Sequence, residues 1–406
     1  MMHGISLALA AATLAGPLNP PAGSIAPTPG PEPRIAINQL NTTGDADSVY
    51  HISKPGSYFL TQNLKGDNGK VGIEIAASNV TIDLMGYNVF GLPGVLSGIA
   101  TSGGAIDNIT IRNGVISDWD GSGIDLVTAG IGTGVLIEDV HVSGNALNGM
   151  ILGKSAVVQN CTASNNTQDG LRCDEGAAIA HCSAHMNRSG IFATLRASIS
   201  NCSSNNNSFY GIRSGSESTI SDCAANGNDI GIEAQSYSTV SHCTASQSNV
   251  QGIAGTEGCR IVDCIAQRSG EFGISGTQKM VITGCTVLHN TLDGIYVQGS
   301  STIMNNTCDL NGFGAGDGAG IRVAGPDCRI EGNLCTNNDR GIHVDGTNRC
   351  VIVKNICGSN TSNFELFGGN FVGEIVNPSG SMAIFSGNGP LASTLNTTDP
   401  NANFSH

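Results

Sequence analysis

The chain repeats a short pattern of apolar and polar residues about every 21 positions. Aligned on its cysteines, the repeat reads VVQNCTASNNTQDGL, AIAHCSAHMNRSGI, SISNCSSNNNSFYGI and TISDCAANGNDIGI, and three more cysteine units follow. Each unit contains short β-type runs bounded by Gly, Asn and Ser, and none has a helical period. The pattern therefore predicts several short strands per unit and no helix.

A unit of this length cannot bury its own apolar face, so neighbouring units must stack into a solenoid. The leucine spacing of leucine-rich repeats is absent, and a propeller blade needs about 40 residues. We therefore predict an all-β fold, a single right-handed parallel β-helix solenoid of about 12–13 coils with about 21 residues per coil and a cap at each end. Stacked coils lie about 4.8 Å apart.

Three columns of residues are expected to face the inside of the coil. One is apolar and lies three positions before the cysteine, the second is the cysteine, and the third lies two positions after it. A fourth column, five positions after the cysteine, is mostly Asn, whose stacked side chains can hydrogen-bond along the solenoid. In the last three units Asn takes the cysteine position and the cysteine moves to the third column.

The regular cysteines could serve disulfides, metal binding, catalysis or packing. No CxxC or EF-hand motif is present, and we expect no metal and no cofactor. His181 and His242 precede column cysteines and are expected to point outward, away from the thiols. A catalytic thiol is one special residue in an electropositive pocket, and seven equivalent copies do not fit that role. We predict buried, reduced thiols that pack as small apolar groups, with Cys328 and Cys350 the pair most open to bridging.

Composition and charge restrict the partners. The formal net charge of −14 argues against nucleic acid, which requires clustered Lys and Arg, and against an anionic membrane surface. The apolar run from Ile5 to Gly16 is shorter than a membrane span and fits a secretory signal peptide, although no Lys or Arg precedes it. We therefore expect no membrane span and a secreted, surface or periplasmic monomer; the alternative is a disordered N-terminus of a cytoplasmic protein.

These patterns divide the chain into five segments. We predict a signal peptide over 1–16, a Pro-rich linker over 17–34, an N-terminal cap with the first coils over 35–108, regular β-helix coils over 109–361, and a C-terminal cap and tail over 362–406. Residues from Phe364 to about Val376 are expected to close the last coil, because an open solenoid end exposes a sheet edge. The remainder is expected to lie along or beyond the rod.

The Asn column, the recurring GI strands and the segment ISKPGSYFLTQNLKG followed by VTIDLMGYNVFG carry a family resemblance. Over roughly residues 50 to 375 the chain resembles the right-handed parallel β-helix proteins of the pectate-lyase-like superfamily, of the secreted bacterial type. The resemblance implies the fold. Members of this superfamily cleave, epimerise, bind or merely display, so the fold alone does not give the function. No paired-Asp motif or Gly-His-Gly of polygalacturonase-type members is visible.

The strand after each recurring glycine is expected to expose two columns of side chains. Asp125 and Glu233 would be about 24 Å apart, too far for a glycosidase pair. A lyase needs a cation for the uronate carboxylate and a base for the neighbouring C–H proton. Tyr296, Arg322 and His343 fall on successive coils and are our catalytic candidates; the alternative is an ordinary surface pair of Arg322 with Tyr296. The insertion NGFGAGDGAG before Arg322 is expected to build a cleft wall.

The same columns supply candidates for substrate binding, because Arg, aromatic, Gln and Asp side chains suit a polysaccharide. These candidates are Arg172, Asp174, Phe192, Arg213, Gln298 and Asp345. A salt-bridge ladder is the plainer interpretation of Arg172, Asp174, Arg213 and Glu233. We expect an exported protein that binds or processes a polysaccharide, with a lyase-type activity on uronic-acid polymers as the enzymatic form. The alternative is a non-catalytic surface or matrix rod with a structural or adhesive role.

Overall fold

The computed structural model describes residues 34–127, 130, 132–312, 318–346, 349–377 and 398–406. The predicted signal peptide and nearly all of the predicted linker lie outside these residues, as does the centre of the insertion before Arg322. The described residues from Ile35 onward belong to one compact unit. They form strands and turns, and no helix among them has the length and apolar character to cross a membrane.

The described strands form two parallel sheets that run the length of the solenoid, of thirty and of fifteen strands. The fifteen-stranded sheet receives one strand from each turn. Its strands are Ser48–Ile52, Val71–Ile75, Ile99–Thr101, Ile124–Asp125, Met150–Leu152, Asp169–Cys173, Ser189–Ala193, Tyr210–Ser214, Ile230–Ala234, Gln251–Gly255, Ile274–Gln278, Ile295–Gly299, Ala319–Val323, Arg340–Val344 and Ser362–Glu365.

The thirty-stranded sheet receives two strands from most turns. Those at or before the cysteine position are Ile35–Ile37, Gly56–Leu60, Val80–Asp83, Ile109–Ser117, Leu136–Ser143, Val157–Gln159, Ala178–Ala180, Ser198–Ser200, Thr219–Ser221, Thr239–Ser241, Arg260–Val262, Val281–Thr283, Thr302–Met304, Arg329–Glu331, Val351–Val353 and Phe371–Val372. Those that follow it are Leu64–Lys65, Asn88–Phe90, Thr162–Ser164, Ser183–His185, Ser203–Asn205, Ala224–Asn226, Thr244–Ser246, Ile265–Gln267, Thr286–Leu288, Thr307–Asp309, Leu334–Thr336, Ile356–Gly358, Ile375–Val376 and Asn403–Ser405.

This architecture confirms the predicted right-handed parallel β-helix and extends it at both ends. Three strands of the fifteen-stranded sheet lie within residues 35–108, where a cap and first coils were expected. At the other end, Asn403–Ser405 is a strand paired with Ile356–Gly358. The segment after about Val376, expected to lie along or beyond the rod, thus includes a strand in which Phe404 and Ser405 pair with Ile356 and Cys357.

The inward columns are buried as predicted, but strict alternation does not place them. Ile199 is completely buried and Cys202, three residues later, is 2% exposed. An odd spacing puts both inside because Asn201, between them, adopts a left-handed backbone with φ of 52°. Asp222 and His242 hold the same position in later turns. Asn and Asp tolerate this conformation best, which accounts for the Asn or Asp directly before Cys161, Cys202, Cys223 and Cys264.

The fourteen cysteines, all among the described residues, are buried thiols. Cys202 donates to the carbonyl oxygen of Ser200 at 3.2 Å, and its backbone N–H lies 3.4 Å from Sγ of Cys223. Cys328 and Cys350, the pair most open to bridging, make the same N–H to Sγ contact at 3.4 Å. The cysteine column therefore serves packing and local hydrogen bonding inside the solenoid.

The Asn column forms a ladder of buried side chains. Asn207 donates its backbone N–H and its Nδ2 to Oδ1 of Asn228, at 2.9 and 3.0 Å. Equivalent pairs run upstream to Asn145 and, further along, from Asn290 to Asn360. Ser248 and Ser269 interrupt the ladder, and neither buried Oγ has a hydrogen-bond partner. The ladder therefore consists of two described stretches with a gap of two turns.

Candidate functional site

The outer face of the fifteen-stranded sheet presents one side chain per turn in continuous register. Neighbours in this outer column are about 4.8 Å apart. The column runs His51, Glu74, Ala100, Asp125, Ile151, Arg172, Phe192, Arg213, Glu233, Ala254, Ser275, Tyr296, Arg322, His343 and Glu365. The part from Asp125 to His343 is the column expected from the sequence, and the structure adds members at both ends.

The three catalytic candidates lie on adjacent strands, and acidic neighbours hold Arg322. Its guanidinium donates from Nε and Nη2 to Oδ2 of Asp345, at 3.2 and 3.1 Å. A second carboxylate, that of buried Asp293, lies 3.9 Å from Nη1. The charge that was expected to meet a substrate carboxylate is thus already compensated within the protein.

Arg340 and Asp345 fix the orientation of His343, which is 7% exposed. Arg340 Nη1 lies 3.1 Å from His343 Nδ1, and Nε2 lies 3.0 Å from Oδ1 of Asp345. Since a guanidinium can only donate, Nδ1 is the acceptor and Nε2 carries the proton. Burial lowers the pKa of His343, and the two arginines add to this effect while Asp345 and Glu365 oppose it. His343 is therefore a neutral imidazole whose basic nitrogen is occupied.

Tyr296 belongs to a different arrangement from the one expected. Its ring stacks on Phe272, with centroids 5.1 Å apart and 20° between the planes. Among the described residues its hydroxyl has no hydrogen-bond partner. The alternative expectation was a surface pair of Arg322 with Tyr296. The described contacts of the Arg322 guanidinium are instead to carboxylates.

The Phe272–Tyr296 pair closes one end of a notch in the outer face. The notch arises because the outer column narrows to Ala254 and Ser275 for two turns, and its volume is about 240 Å³. Its lining is Glu233, Gln251, Ala254, Gly255, Thr256, Phe272, Ser275, Gly276, Thr277, Tyr296 and Gln298. The candidate Gln298 thus lies on its rim, and Ser275 Oγ donates to Gln251 Oε1 at 2.8 Å. Amide, hydroxyl and aromatic groups therefore surround this space.

The remaining binding candidates form a second polar and aromatic patch. Phe192 lies between two guanidinium groups, with Arg172 at 5.1 Å and Arg213 at 5.4 Å from its ring centroid. Arg213 also lies 4.7 Å from the ring of Tyr210 and 3.3 Å from the carboxylate of Glu233.

A groove of about 320 Å³ begins beside this patch and includes Arg172, Asp174 and Thr194 in its lining. Asp174 accepts a hydrogen bond from the Thr194 hydroxyl at 2.9 Å. Arg172 pairs with Asp169 at 3.3 Å. Arg213 pairs with Glu233, whereas Arg172 pairs with Asp169 instead of the Asp174 of the salt-bridge interpretation. Ion pairing and an accessible surface therefore coexist in this groove.

A third and larger groove lies at the N-terminal end of the same face, across the predicted cap and first coils and the start of the predicted regular coils. Its volume is about 550 Å³, and Asp47, Glu74, Asp120 and Asp125 line it together with Leu96 and other apolar residues. None of its lining residues is Lys or Arg. No repeat cysteine marks this region, so the sequence pattern placed Asp125 on the outer face but did not reveal Asp47, Glu74 and Asp120 as part of it.

One group of side chains beside this groove could hold a cation. The ligand atoms of Asp45, His51 and Glu74 all lie within 4.8 Å of one another. Nδ1 of His51 lies 2.8 Å from Oδ2 of Asp45 and 3.9 Å from Oε2 of Glu74. The hydrogen bond from His51, with backbone N–H donors of Asp47 and Ser48, holds the pKa of Asp45 well below its usual range. The same contacts complete an ion pair when His51 is protonated, so the group does not require a metal.

Sequence reasoning missed a third set of outer-face residues. Phe272, Asp293 and Arg340 each come directly before a recurring glycine, as do Asp169 and Tyr210. The signal was present in the sequence, because that position is aromatic or charged in several turns. It was overlooked because only residues after the glycine were assigned to the outer face.

Comparison with known proteins gives a family match and several structural similarities. The profile described as "Right handed beta helix region" matches residues 52–213 and 272–388. No curated protein shows significant similarity to the chain.

Three of the solved structures that are similar to the chain are the following. The A-module of mannuronan C-5 epimerase AlgE4 from Azotobacter vinelandii has a TM-score of 0.49 and 14% identity, covering 62% of this chain and 86% of that one. The AlgE6 A-module from the same organism has a TM-score of 0.45 and 12% identity, with coverages of 78% and 91%. The periplasmic alginate epimerase AlgG has a TM-score of 0.39 and 14% identity, with coverages of 76% and 80%.

Proposed function

The chain belongs to the right-handed β-helix family, and from that premise we propose that it binds a polysaccharide along the outer face of its fifteen-stranded sheet. The observation that carries the proposal is the notch between Glu233 and the Phe272–Tyr296 pair. An aromatic pair offers an apolar face for a sugar ring, and Gln251, Gln298 and the nearby hydroxyls offer donors and acceptors for its hydroxyl groups.

The distribution of grooves favours a polymer over a small molecule. The three grooves described above lie along one face, from Asp47 near one end to Tyr296 and Gln298 in the C-terminal half. Fifteen strands in register give this face a length of about 67 Å at the usual strand spacing. A linear chain of sugars could contact several turns at once, so weak contacts at each turn would add.

Cleavage by a lyase-type reaction on uronic-acid polymers stays a prediction. In such a reaction a base takes the proton from the carbon that bears the carboxylate, and the bond from the next ring carbon to the glycosidic oxygen breaks. The leaving oxygen takes up a proton and becomes a hydroxyl, and a C=C bond remains between the two carbons. In the described arrangement Arg322 is bound by Asp345 and Nδ1 of His343 accepts from Arg340. The reaction therefore requires Asp345 and Arg340 to give up these contacts when substrate binds. Among the three catalytic candidates, Tyr296 is the one whose hydroxyl is already accessible.

An exported location suits this function, since a polysaccharide ligand of this length would be met outside the cytoplasm. The monomeric state expected from the sequence stays a prediction. A purely structural rod remains the alternative function, and it predicts no dependence of any binding property on the residues of the notch.

Affinity electrophoresis with a panel of polysaccharides, followed by titration calorimetry, tests the proposal. We expect retardation by at least one polysaccharide and a loss of about tenfold in affinity for Tyr296→Ala, because one aromatic contact contributes about 1.4 kcal/mol. Tyr237→Ala is the matched control, since Tyr237 is 61% exposed and lies outside the notch lining. Equal loss in both variants, or no binding to any polysaccharide, would leave the structural rod as the better account.

A second assay addresses cleavage. The purified protein is incubated with uronic-acid polymers while absorbance is followed at the band of the unsaturated product. Product formation that is lost in Arg322→Ala and His343→Ala would support the lyase-type reaction. No product, together with unchanged binding by both variants, would end it and leave the binding function intact.

A further inference from the structure

The charges of the outer face carry an inference about the class of polysaccharide. Each arginine on a strand of the fifteen-stranded sheet has a carboxylate partner within the protein. The pairs are Arg172 with Asp169 at 3.3 Å, Arg213 with Glu233 at 3.3 Å, Arg322 with Asp345 at 3.1 Å, and Arg340 with Glu365 at 2.6 Å. Arg188, on a preceding turn, packs 5.7 Å from the ring of Phe209 and lines none of the three grooves.

An acidic polysaccharide would have to displace these partners. The side chains of Glu233 and Asp345 are only 15% and 29% exposed, so a carboxylate that lost its arginine would remain partly buried and uncompensated. The new pair with the sugar carboxylate would be no stronger than the pair it replaced, and the displaced carboxylate would lose its favourable contact. The arginines of this face therefore offer little net attraction to a polyanion.

The N-terminal groove opposes a polyanion directly. Asp47, Glu74, Asp120 and Asp125 line it without any Lys or Arg in the lining. A polymer with a negative charge on every sugar would place several of those charges within about 8–10 Å of these carboxylates, where salt screens them incompletely. Binding along the full face would therefore be disfavoured for uronates.

The notch gives no reason to prefer a cationic polymer either. Its lining contains the Phe272–Tyr296 pair. The hydrogen-bonding groups around this pair are the amides of Gln251 and Gln298 and the hydroxyls of Thr256, Thr277 and Ser275. The one charged side chain in the lining, that of Glu233, already pairs with Arg213. Sugar contacts at this site would be made through uncharged groups.

Resting on the proposed polysaccharide function, we infer that the ligand is an uncharged polysaccharide, recognised by stacking and neutral hydrogen bonds. Its binding should then be nearly independent of salt, because no ion pair forms or breaks. The probes are neutral glucans, galactans and mannans, polygalacturonate and alginate as polyanions, and chitosan as a polycation, each titrated between about 50 and about 500 mM NaCl.

The expected result is binding to a neutral polymer that changes less than about twofold over this range, and binding of the polyanions that is at least about tenfold weaker at the lower salt concentration. Tighter binding of polygalacturonate, alginate or chitosan than of every neutral polymer at about 150 mM salt would overturn the inference and leave the proposed polysaccharide function standing. Absence of binding to every probe would reject both the inference and the proposed function.

A variant with altered charge tests the cause. Glu233→Gln leaves Arg213 without its carboxylate partner beside the notch, so the variant should gain about three- to fivefold in affinity for polyanions at low salt. Glu331→Gln is the matched control, because Glu331 also pairs with an arginine, Arg329, but lies on the other sheet. An equal gain in both variants, or none in Glu233→Gln, would contradict the view that internal ion pairing excludes acidic sugars.

Discussion

Replacement of Ser248 and Ser269 by asparagine should close the gap in the Asn ladder and stabilise the solenoid. Both serines are buried, and their Oγ atoms have no partner. Asn228, at the upstream edge of the gap, still donates Nδ2 to the carbonyl of Ser204 at 3.0 Å, but no ladder bond links it to Ser248. Downstream, Ser269 donates its N–H to Oδ1 of Asn290 at 2.9 Å and makes no side-chain link.

The backbone around the gap has the shape that asparagine requires. A Cβ built on Gly211 would lie 2.7 Å from Nδ2 of Asn228, and one on Gly252 would lie 3.0 Å from Oγ of Ser269. Glycine thus faces the ladder position both in an intact rung and in the gap. Because the glycine leaves this space open in both cases, the amide of an introduced asparagine should fit without displacing the neighbouring turn.

The size of the effect follows from the bonds that would be restored. The double variant would add two backbone N–H bonds to Oδ1 and three Nδ2 bonds to Oδ1, of the kind seen between Asn207 and Asn228. At about 0.5–1 kcal/mol net for each bond, less about 1 kcal/mol for ordering each side chain, the gain is about 2 kcal/mol. The double variant should exceed the sum of the single variants, because the bond from Nδ2 at position 248 to Oδ1 at position 269 needs both asparagines.

Urea unfolding and amide hydrogen exchange measure this prediction. We expect a higher unfolding midpoint and slower exchange of the backbone N–H groups of Asn228 and Ser248. Ser241→Asn is the control, because Ser241 lies on the outward side of a neighbouring strand, and it should change stability by less than about 0.5 kcal/mol. A double variant that is neutral or less stable, with exchange at these two positions unchanged, would refute the view that the gap is an unfilled part of the ladder.

Three further predictions concern pH, turn geometry and the thiols. Folding lowers the pKa of His343 below its ordinary value of 6.5, so the folded protein binds fewer protons there than the unfolded chain, and the stability should fall as the pH drops below about 6.5. Thermal unfolding of His343→Gln should lack this loss of stability. The same dependence of stability on pH in both proteins would contradict the prediction. Gly211→Ala should lower the free energy of unfolding in urea by more than about 2 kcal/mol, because the added Cβ would lie 2.4 Å from the carbonyl oxygen of Gly231. A change below about 0.5 kcal/mol would show that the backbone of this turn adapts to the side chain. The fourteen cysteines should resist alkylation in the native protein and all react after denaturation without reductant, as counted by intact mass; fewer labels would reveal disulfides.

The sequence was sufficient to predict the fold because every level of the pattern agreed. The repeat length, the apolar residue three positions before Cys202, and the Asn five positions after it are each required by the same coil. The left-handed residue before the cysteine was not deduced, since the spacing was attributed to alternation alone. Its φ of 52° at Asn201 supplies the missing geometry.

The candidate site was predictable only in part. The outer column placed Tyr296, Arg322 and His343 on adjacent strands because strand register follows directly from the repeat. Their chemical state did not follow, because it depends on Asp293 and Arg340, which reach the cluster from the positions before the glycines. Side-chain pairing across turns is set by rotamers and local burial, which a repeat pattern does not encode.

One strand per turn makes the outer face modular. Each turn contributes a single residue to the column, and the register between turns is constant. Duplication or loss of one whole turn between the N-terminal groove and the notch would therefore move these two sites apart or together by about 4.8 Å, without rotating either one off the face. The spacing of sites along such a protein can thus change in steps of one turn, while each site keeps its own geometry.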